Sequence, residues 1–207
     1  LGYGRDFVSD AQTALDDRMR VAAAYVDGLI YANREEDAGT YARTLLALPA
    51  VLEDATPLRV AELRYAWVGA LKGRARYAEA IEQLDLIRDE FDSDIDLRRR
   101  GWFHSDYGTC LRLLGEYSRA QTHLATALEC ARRSGRQRTV AGVLQAGANL
   151  AHAMGSLSKP LELLHEAQLL MVEGGGDTPF DHAVELQVVR EFIQLGRLGA
   201  ALDKLES

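Results

Sequence analysis

A short apolar pattern recurs four times in the second part of the chain. Each copy has a small residue, one spacer, a tyrosine or leucine, a small residue or proline three positions on, and a leucine four beyond that. The tyrosine or leucine is Tyr77, Tyr117, Leu157 or Leu198, at intervals of 117 − 77 = 40, 157 − 117 = 40 and 198 − 157 = 41. Since chance rarely keeps such a register, the pattern predicts an array of similar structural repeats.

A second apolar stretch with helical spacing precedes each copy. The stretches are Leu63, Trp67 and Leu71; Phe103, Tyr107 and Leu111; Val143, Leu150 and Met154; and Val184, Val188 and Phe192. Each repeat is therefore predicted to be a helix, a tight turn and a second helix. Gly115, Gly155 and Gly196 mark the turns, because glycine readily takes the left-handed conformation that ends a helix. Thr56 and Pro57 are predicted as a capping residue and first helical residue.

Small residues are predicted where the two helices of a hairpin approach most closely. Gly108 in a first helix and Ala120 in the following second helix occupy such positions, and large side chains there would push the hairpin apart. The positions equivalent to them one repeat later are Ala148 and Pro160.

These features resemble the tetratricopeptide repeat (TPR), which carries the same small residue in its first helix and the same Gly-x-Tyr-x-x-Ala-x-x-x-Leu run as residues 115–124. The resemblance is best over residues 101–131 and covers residues 57–207 well. It implies an all-α fold, an α-solenoid of antiparallel helical hairpins in a TPR-like right-handed superhelix. HEAT repeats have a similar period, but they lack the Gly-x-Tyr turn, so we favour the TPR.

The usual TPR unit has about 34 residues, so these units are longer. Longer units of this kind resemble those of bacterial LuxR-type regulators related to the maltose activator and of the Streptomyces antibiotic regulatory proteins. They also occur in quorum-sensing peptide receptors and in the kinesin light chain. The resemblance implies a module that holds a protein or peptide segment in its concave groove.

We expect residues 1–56 to contain a capping helix (5–17) and a degenerate first repeat (18–48). Residues 57–207 are expected to form TPR-like repeats over about 57–92, 93–135, 136–176 and 177–207. The chain begins with Leu1 and its last residues run out within an apolar stretch, which suggests a fragment of a larger protein.

Composition and charge narrow the function. Hydrophobic residues make up 47% and charged residues 27% of the chain, which is typical of a folded protein. The net charge of −7 argues against direct nucleic-acid binding. The arginines at 98–100, 132, 133, 136 and 138 are local exceptions, which we interpret as solvated helix ends. Two cysteines and the lack of a long apolar run favour a cytoplasmic protein without a membrane segment.

A binding surface is expected along the first helices, on the side turned away from the core. The candidate groove residues are Tyr65, Lys72, Trp102, Ser105, Thr109, Arg112, Gln145, Asn149, His152 and Arg190. Lys72, Arg112 and His152 occupy equivalent positions and could form a row of hydrogen-bond donors for an extended or acidic peptide. Ordinary surface polarity explains that row equally well, and Trp102 could be a groove anchor or packing between repeats.

No catalytic or metal-binding constellation is recognisable. The five histidines lack a paired spacing, and Cys110 and Cys130 are interpreted as small core residues. The glycines at 174–176 lack the lysine of a phosphate-binding loop and are expected to connect two repeats. We therefore expect neither an enzyme nor a bound cofactor or metal.

The leading hypothesis is a sensor or docking module of a larger bacterial transcriptional regulator. The alternative is a free-standing TPR scaffold or chaperone-like adaptor. A third class is self-association, since an exposed end of the array could form a homodimer.

Overall fold

A computed structural model describes residues 3–93, 96–173 and 179–206. It describes the side chains of residues 13–93, 96–171, 182–201 and 203–205. The described residues form twelve helices and no strand. The helices are α1 Tyr3–Tyr31, α2 Glu35–Leu46, α3 Pro49–Asp54, α4 Pro57–Gly73, α5 Tyr77–Leu86, α6 Arg88–Asp92, α7 Leu97–Leu113, α8 Tyr117–Arg133, α9 Gln137–Ala153, α10 Lys159–Glu173, α11 Pro179–Gln194 and α12 Leu198–Glu206. The expected connection at 174–176 lies outside the described residues.

The chain divides into two compact units, Leu1–Asp94 and Ile95–Ser207. In unit 1, α1 packs against α2 and α4. Its core contains Met19, Val26 and Leu29 of α1 and Leu63 of α4, together with small residues such as Ala38 of α2. Removing these apolar side chains from water supplies the main favourable term for folding the unit.

The amino-terminal region differs from our expectation in one respect. A separate capping helix over residues 5–17 was predicted, but α1 runs through that segment without a break to Tyr31. Residues 5–27 contain neither glycine nor proline, so nothing in this stretch interrupts the helix. The helix ends just before Asn33, which is left-handed with φ 55°.

Unit 2 contains three hairpins, α7/α8, α9/α10 and α11/α12. Phe103, Tyr107 and Leu111 of α7 are fully buried. Around α9 the core combines Val143 and Leu144 with Leu164 of α10 and with other apolar residues of α8, α10 and α11. The α7/α8 and α9/α10 hairpins thus bury the apolar stripes of both their helices. In the α11/α12 hairpin, Leu198 and Leu205 of α12 are each 60% exposed.

The helix starts agree with the predicted N-terminal signals only in part. Thr56 is the N-cap residue of α4 and Pro57 its first residue, but the Thr56 side chain does not cap the helix. Instead Thr56 N donates a 3.0 Å hydrogen bond to Asp16 Oδ1 of α1. This bond ties the start of α4 to the long first helix.

The close approach predicted between Gly108 and Ala120 in the α7/α8 hairpin is confirmed. Gly108 of α7 faces Leu124 and Ala120 of α8, and a Cβ added at Gly108 would lie 2.7 Å from Leu124 Cγ. Ala120 is itself fully buried. The two helices therefore meet at a point where only a hydrogen atom fits on the α7 side.

The turns inside the hairpins share one backbone conformation. Gly115, Gly155 and Gly196 have φ values of 81°, 80° and 70°, as the sequence predicts. At the equivalent turn between α4 and α5, Ala75 has φ 55°. A side chain in the left-handed region costs roughly 1–2 kcal/mol, so this alanine is strained.

Replacing Ala75 with glycine is expected to raise the free energy of unfolding by about 0.5–1 kcal/mol. The gain is the relief of left-handed strain, about 1–2 kcal/mol, less the entropy that glycine loses on folding, about 0.4–1 kcal/mol. Urea denaturation followed by circular dichroism measures the change. Gly115→Ala, at the matching turn, should lower the stability by a similar amount, and a destabilised Ala75→Gly variant would contradict the strain argument.

Candidate binding face

Polar side chains of the first helices in unit 2 form the candidate site. We call this set the first-helix face, and it consists of Trp102, Ser105, Thr109 and Arg112 of α7, Gln145, Asn149 and His152 of α9, and Arg190 of α11. The helical spacing of three and four residues places the members of each helix on one side of it.

Hydrogen bonds join the α9 and α11 parts of the first-helix face. Gln145 Nε2 donates to Gln187 Oε1 at 3.1 Å, and Gln187 Nε2 donates to Asn149 Oδ1 at 2.9 Å. Arg190 Nη2 lies 3.5 Å from Asn149 Oδ1. These long side chains bridge two helices and hold one another in place, which lowers the entropy that a ligand would have to remove.

A buried carboxylate completes the α9–α11 network. The side chain of Glu191 is only 5% exposed; its Oε2 lies 3.0 Å from His152 Nδ1, and its Oε1 accepts from Arg190 Nη2 at 3.4 Å. A carboxylate removed from water needs such partners. His152, predicted as a donor for a ligand, and Arg190, predicted as a groove residue, therefore both contact Glu191.

Sequence reasoning missed Gln187 and Glu191, which are both buried and central to the network. They lie four residues apart on α11, beside the core residues Val184 and Val188. A polar pair at that spacing next to an apolar stripe is the signal that could have found them.

The α7 part of the face varies in exposure. Ser105 is buried and offers little surface to a ligand, whereas Thr109 and Arg112 are half-buried. Trp102 is 38% exposed despite its size. Of the first-helix face residues on α7, Trp102 is therefore the most accessible, and Thr109 and Arg112 are partly accessible.

Tyr65 and Lys72 lie on α4 in unit 1 and are described with that unit alone. The Tyr65 ring packs against Phe91, with centroids 5.0 Å apart. Lys72 is half-buried in the last turn of α4. Their part in a common row with Arg112 and His152 stays a prediction.

Two histidines that the sequence analysis left unassigned form a pair in the α7/α8 hairpin. His104 Nδ1 lies 3.0 Å from His123 Nδ1, and the His123 ring stacks on Tyr107 with centroids 4.0 Å apart. One ring must donate and the other accept, so at least one imidazole is neutral in this arrangement. His104 is buried and His123 half-buried.

Within the part of the chain that the structure describes, no cluster of three or more histidine, cysteine, aspartate or glutamate side chains could hold a metal ion. Cys110 and Cys130 are buried and form no disulfide. None of the described helices combines the length and apolar character that a membrane span requires.

The helical hairpins, their left-handed turns and their close contacts define a TPR-like repeat fold. Solved structures confirm this class of fold. No family model and no curated protein sequence matches the chain.

The structure of BtubC (BKLC) from P. vanneervenii has a TM-score of 0.76 to this chain at 13% identity, covering 98% of this chain and 82% of that one. Two structures of a candidate kinesin light chain from Podosopora anserina with nearly identical TPR-like repeats give TM-scores of 0.73 and 0.72 at 14% identity. These cover 92% of this chain and 92% and 93% of those chains. At such identities the likeness is one of fold.

Proposed function

We propose that this chain is a protein-binding module whose partner contacts the first-helix face of unit 2. The observation that carries the proposal is the hydrogen-bonded network of α9 and α11, which presents amide, imidazole and guanidinium groups in fixed positions. A preorganised polar surface binds a peptide segment at a smaller entropic cost than a mobile one. TPR-like repeats supply rigid helices on which such a surface can be built.

The finer proposal is that the module serves as the sensor or docking part of a larger bacterial transcriptional regulator. The support is the repeat length of about forty residues, which resembles the units of such regulators. A coding sequence without an effector domain beside this segment would refute it.

The alternative is a free-standing scaffold. It is favoured by the comparison with solved TPR-like structures, because the match covers 82% of one of those chains and 92% of another. Arrays of about this length therefore fold as separate chains.

Charge reversal on the first-helix face tests the protein-binding proposal. Arg112→Glu combined with Arg190→Glu alters two accessible cations of the face, of which the Arg190 side chain is 51% exposed. Affinity capture from a lysate of the source organism, read by mass spectrometry, should find a protein bound by the unmodified chain and lost from this variant. The affinity for the purified partner should fall by about tenfold or more, because a charged partner group is then repelled.

The control is Arg119→Glu combined with Arg132→Glu on α8, which changes the net charge by the same amount. These side chains are 52% and 57% exposed and lie on a second helix. The control should keep the partner. Equal loss from both variants would show that net charge, and not the first-helix face, determines binding.

A further inference from the structure

A pocket of about 410 Å³ lies at one edge of unit 2, away from the α9–α11 network. Three elements supply its walls: the start of α7 with Arg98 and Trp102, the start of α9 with Arg136 and Arg138, and the last turns of α10 with Leu170 and Met171. Its size falls within the range of about 300–1,000 Å³ that small-molecule sites occupy.

The pocket concentrates positive charge on a chain whose net charge is −7. Three of its lining residues are arginines and none is acidic. Arg136 and Arg138 are exposed, and neither forms an ion pair with any residue of the described chain. Arg98 has an acidic neighbour only at 4.0 Å, Asp96. An anion would therefore meet cations that are largely not neutralised.

The backbone adds to this field. Helix α9 begins at Gln137 with Arg136 as its N-cap residue, and no side chain caps it. By contrast, the carboxylate of Asp96 caps α7, with Oδ1 3.0 Å from Arg98 N. The positive end of the α9 dipole is thus directed to the same place as the guanidinium groups.

Another part of the lining is apolar. Met171 is buried and Leu170 half-buried, and Trp102 presents a partly exposed indole beside them. An inorganic anion would leave this surface in contact with water. A ligand that joins an anionic group to an aromatic or branched apolar group would use both parts of the lining, because guanidinium groups bind carboxylate and phosphate while the indole stacks on a ring.

We propose that this pocket binds a small amphiphilic anion, a carboxylate or phosphate monoester attached to an aromatic or branched apolar group. Arg98, Arg136 and Arg138 bind the anionic end, and Trp102, Leu170 and Met171 contact the apolar end. Three of the seven arginines that the sequence suggested to be solvated helix ends thus form part of this ligand site. Trp102 also belongs to the first-helix face, so an occupied pocket adjoins the surface proposed for the protein partner.

Tryptophan fluorescence tests the site with defined probes. The chain has two tryptophans, Trp67 and Trp102, and Trp67→Phe leaves Trp102 as the reporter. Phenyl phosphate titrated into this variant should change the Trp102 emission saturably, and the affinity should fall as salt is added. Inorganic phosphate has only the anionic group and benzyl alcohol only the aromatic group. Each should bind at least about tenfold more weakly than phenyl phosphate.

Paired variants in the Trp67→Phe background identify the residues. Arg136→Gln combined with Arg138→Gln should weaken phenyl phosphate binding by about tenfold to a hundredfold, because hydrogen bonds to charged groups are lost. The control, Arg132→Gln combined with Arg133→Gln, changes the charge equally near the same connection, but these side chains contact Glu166 and Glu129. It should bind as the parent does.

Several results would overturn the proposal. Equal weakening by both pairs of variants would show a general charge effect. Equal affinity for inorganic phosphate and phenyl phosphate would show that the apolar residues contribute nothing to binding. Equal affinity for benzyl alcohol and phenyl phosphate would show that the arginines contribute nothing. Tighter binding of a short acidic peptide than of phenyl phosphate through the same arginines would assign the pocket to a protein partner. The probes bind without a protein partner, so a negative result with phenyl phosphate does not contradict the proposed protein-binding function. A negative result in the affinity capture likewise does not contradict the proposed ligand site.

Discussion

Replacing Tyr107 with alanine is expected to lower the free energy of unfolding by about 3–5 kcal/mol, as truncating a buried aromatic side chain does. Tyr107 is fully buried in the α7/α8 hairpin. Its ring lies 4.0 Å from that of His123 and 6.0 Å from that of Phe103, measured between centroids. The variant therefore loses the transfer free energy of the ring and leaves a cavity that its aromatic neighbours cannot fill without rearranging.

The expected fall in melting temperature is about 6–20 °C, from about 2–4 °C per kcal/mol for a chain of this size. Differential scanning calorimetry measures it. Tyr31→Ala is the matched control, since Tyr31 ends α1 with 89% of its surface exposed, and its effect should stay within about 0.5 kcal/mol. Similar effects of the two substitutions would contradict the assignment of Tyr107 to the core.

Replacing Gly108 with alanine is the second large effect that we expect, a loss of about 1–3 kcal/mol. The added methyl group would lie 2.7 Å from Leu124 Cγ and 3.1 Å from the Ala120 carbonyl oxygen. Relief requires α7 and α8 to separate, because the second atom belongs to the backbone. The loss should prevail although alanine gains about 0.5–1 kcal/mol over glycine inside a helix.

Gly147→Ala separates these two contributions. Gly147 lies inside α9, and its added methyl group would be 3.5 Å from Leu163 Cδ1, an ordinary contact. This variant should be more stable than the parent by about 0.5–1 kcal/mol. Urea denaturation of the two variants should give shifts of opposite sign, and a stabilised Gly108→Ala would refute the close approach of α7 and α8.

Local signals made much of the fold predictable. Tyr77, Tyr117 and Leu198 are the first residues of second helices, as the forty-residue register predicts, and the glycine turns have the expected left-handed backbone. The second helix of the α9/α10 hairpin begins at Lys159, two residues after Leu157, where the register would start it. Register and turn chemistry are local properties, so one sequence reveals them.

Other features depend on tertiary contacts and were not predictable. The second helix after Ala75 is interrupted at Ile87, giving α5 and α6, and this interruption buries Ile87 and Phe91. The short helix α3 likewise buries an apolar side chain, that of Val51. No glycine or proline marks the break at Ile87, whereas Pro49 marks the start of α3.

The sequence predicted which side of each helix carries the candidate site residues, but not which residues contact one another. Spacing placed Gln145, Asn149 and His152 on one side of α9, yet their partners Gln187 and Glu191 come from about forty residues away. The convergence of Arg98 with Arg136 and Arg138 likewise requires α7 and α9 to lie side by side. Which polar groups meet across helices is a property of packing, and one sequence does not display it.

The common left-handed turn at positions 75, 115, 155 and 196 bears on how such a gene can change length. Because the backbone has a left-handed φ at each of these points, a recombination that joins one turn to the next removes or adds the length of one repeat without requiring a new connection. Each hairpin contacts mainly its neighbours, so a shortened or lengthened array still buries its apolar faces. The turn inside each hairpin is therefore a point at which this protein can gain or lose one repeat over generations.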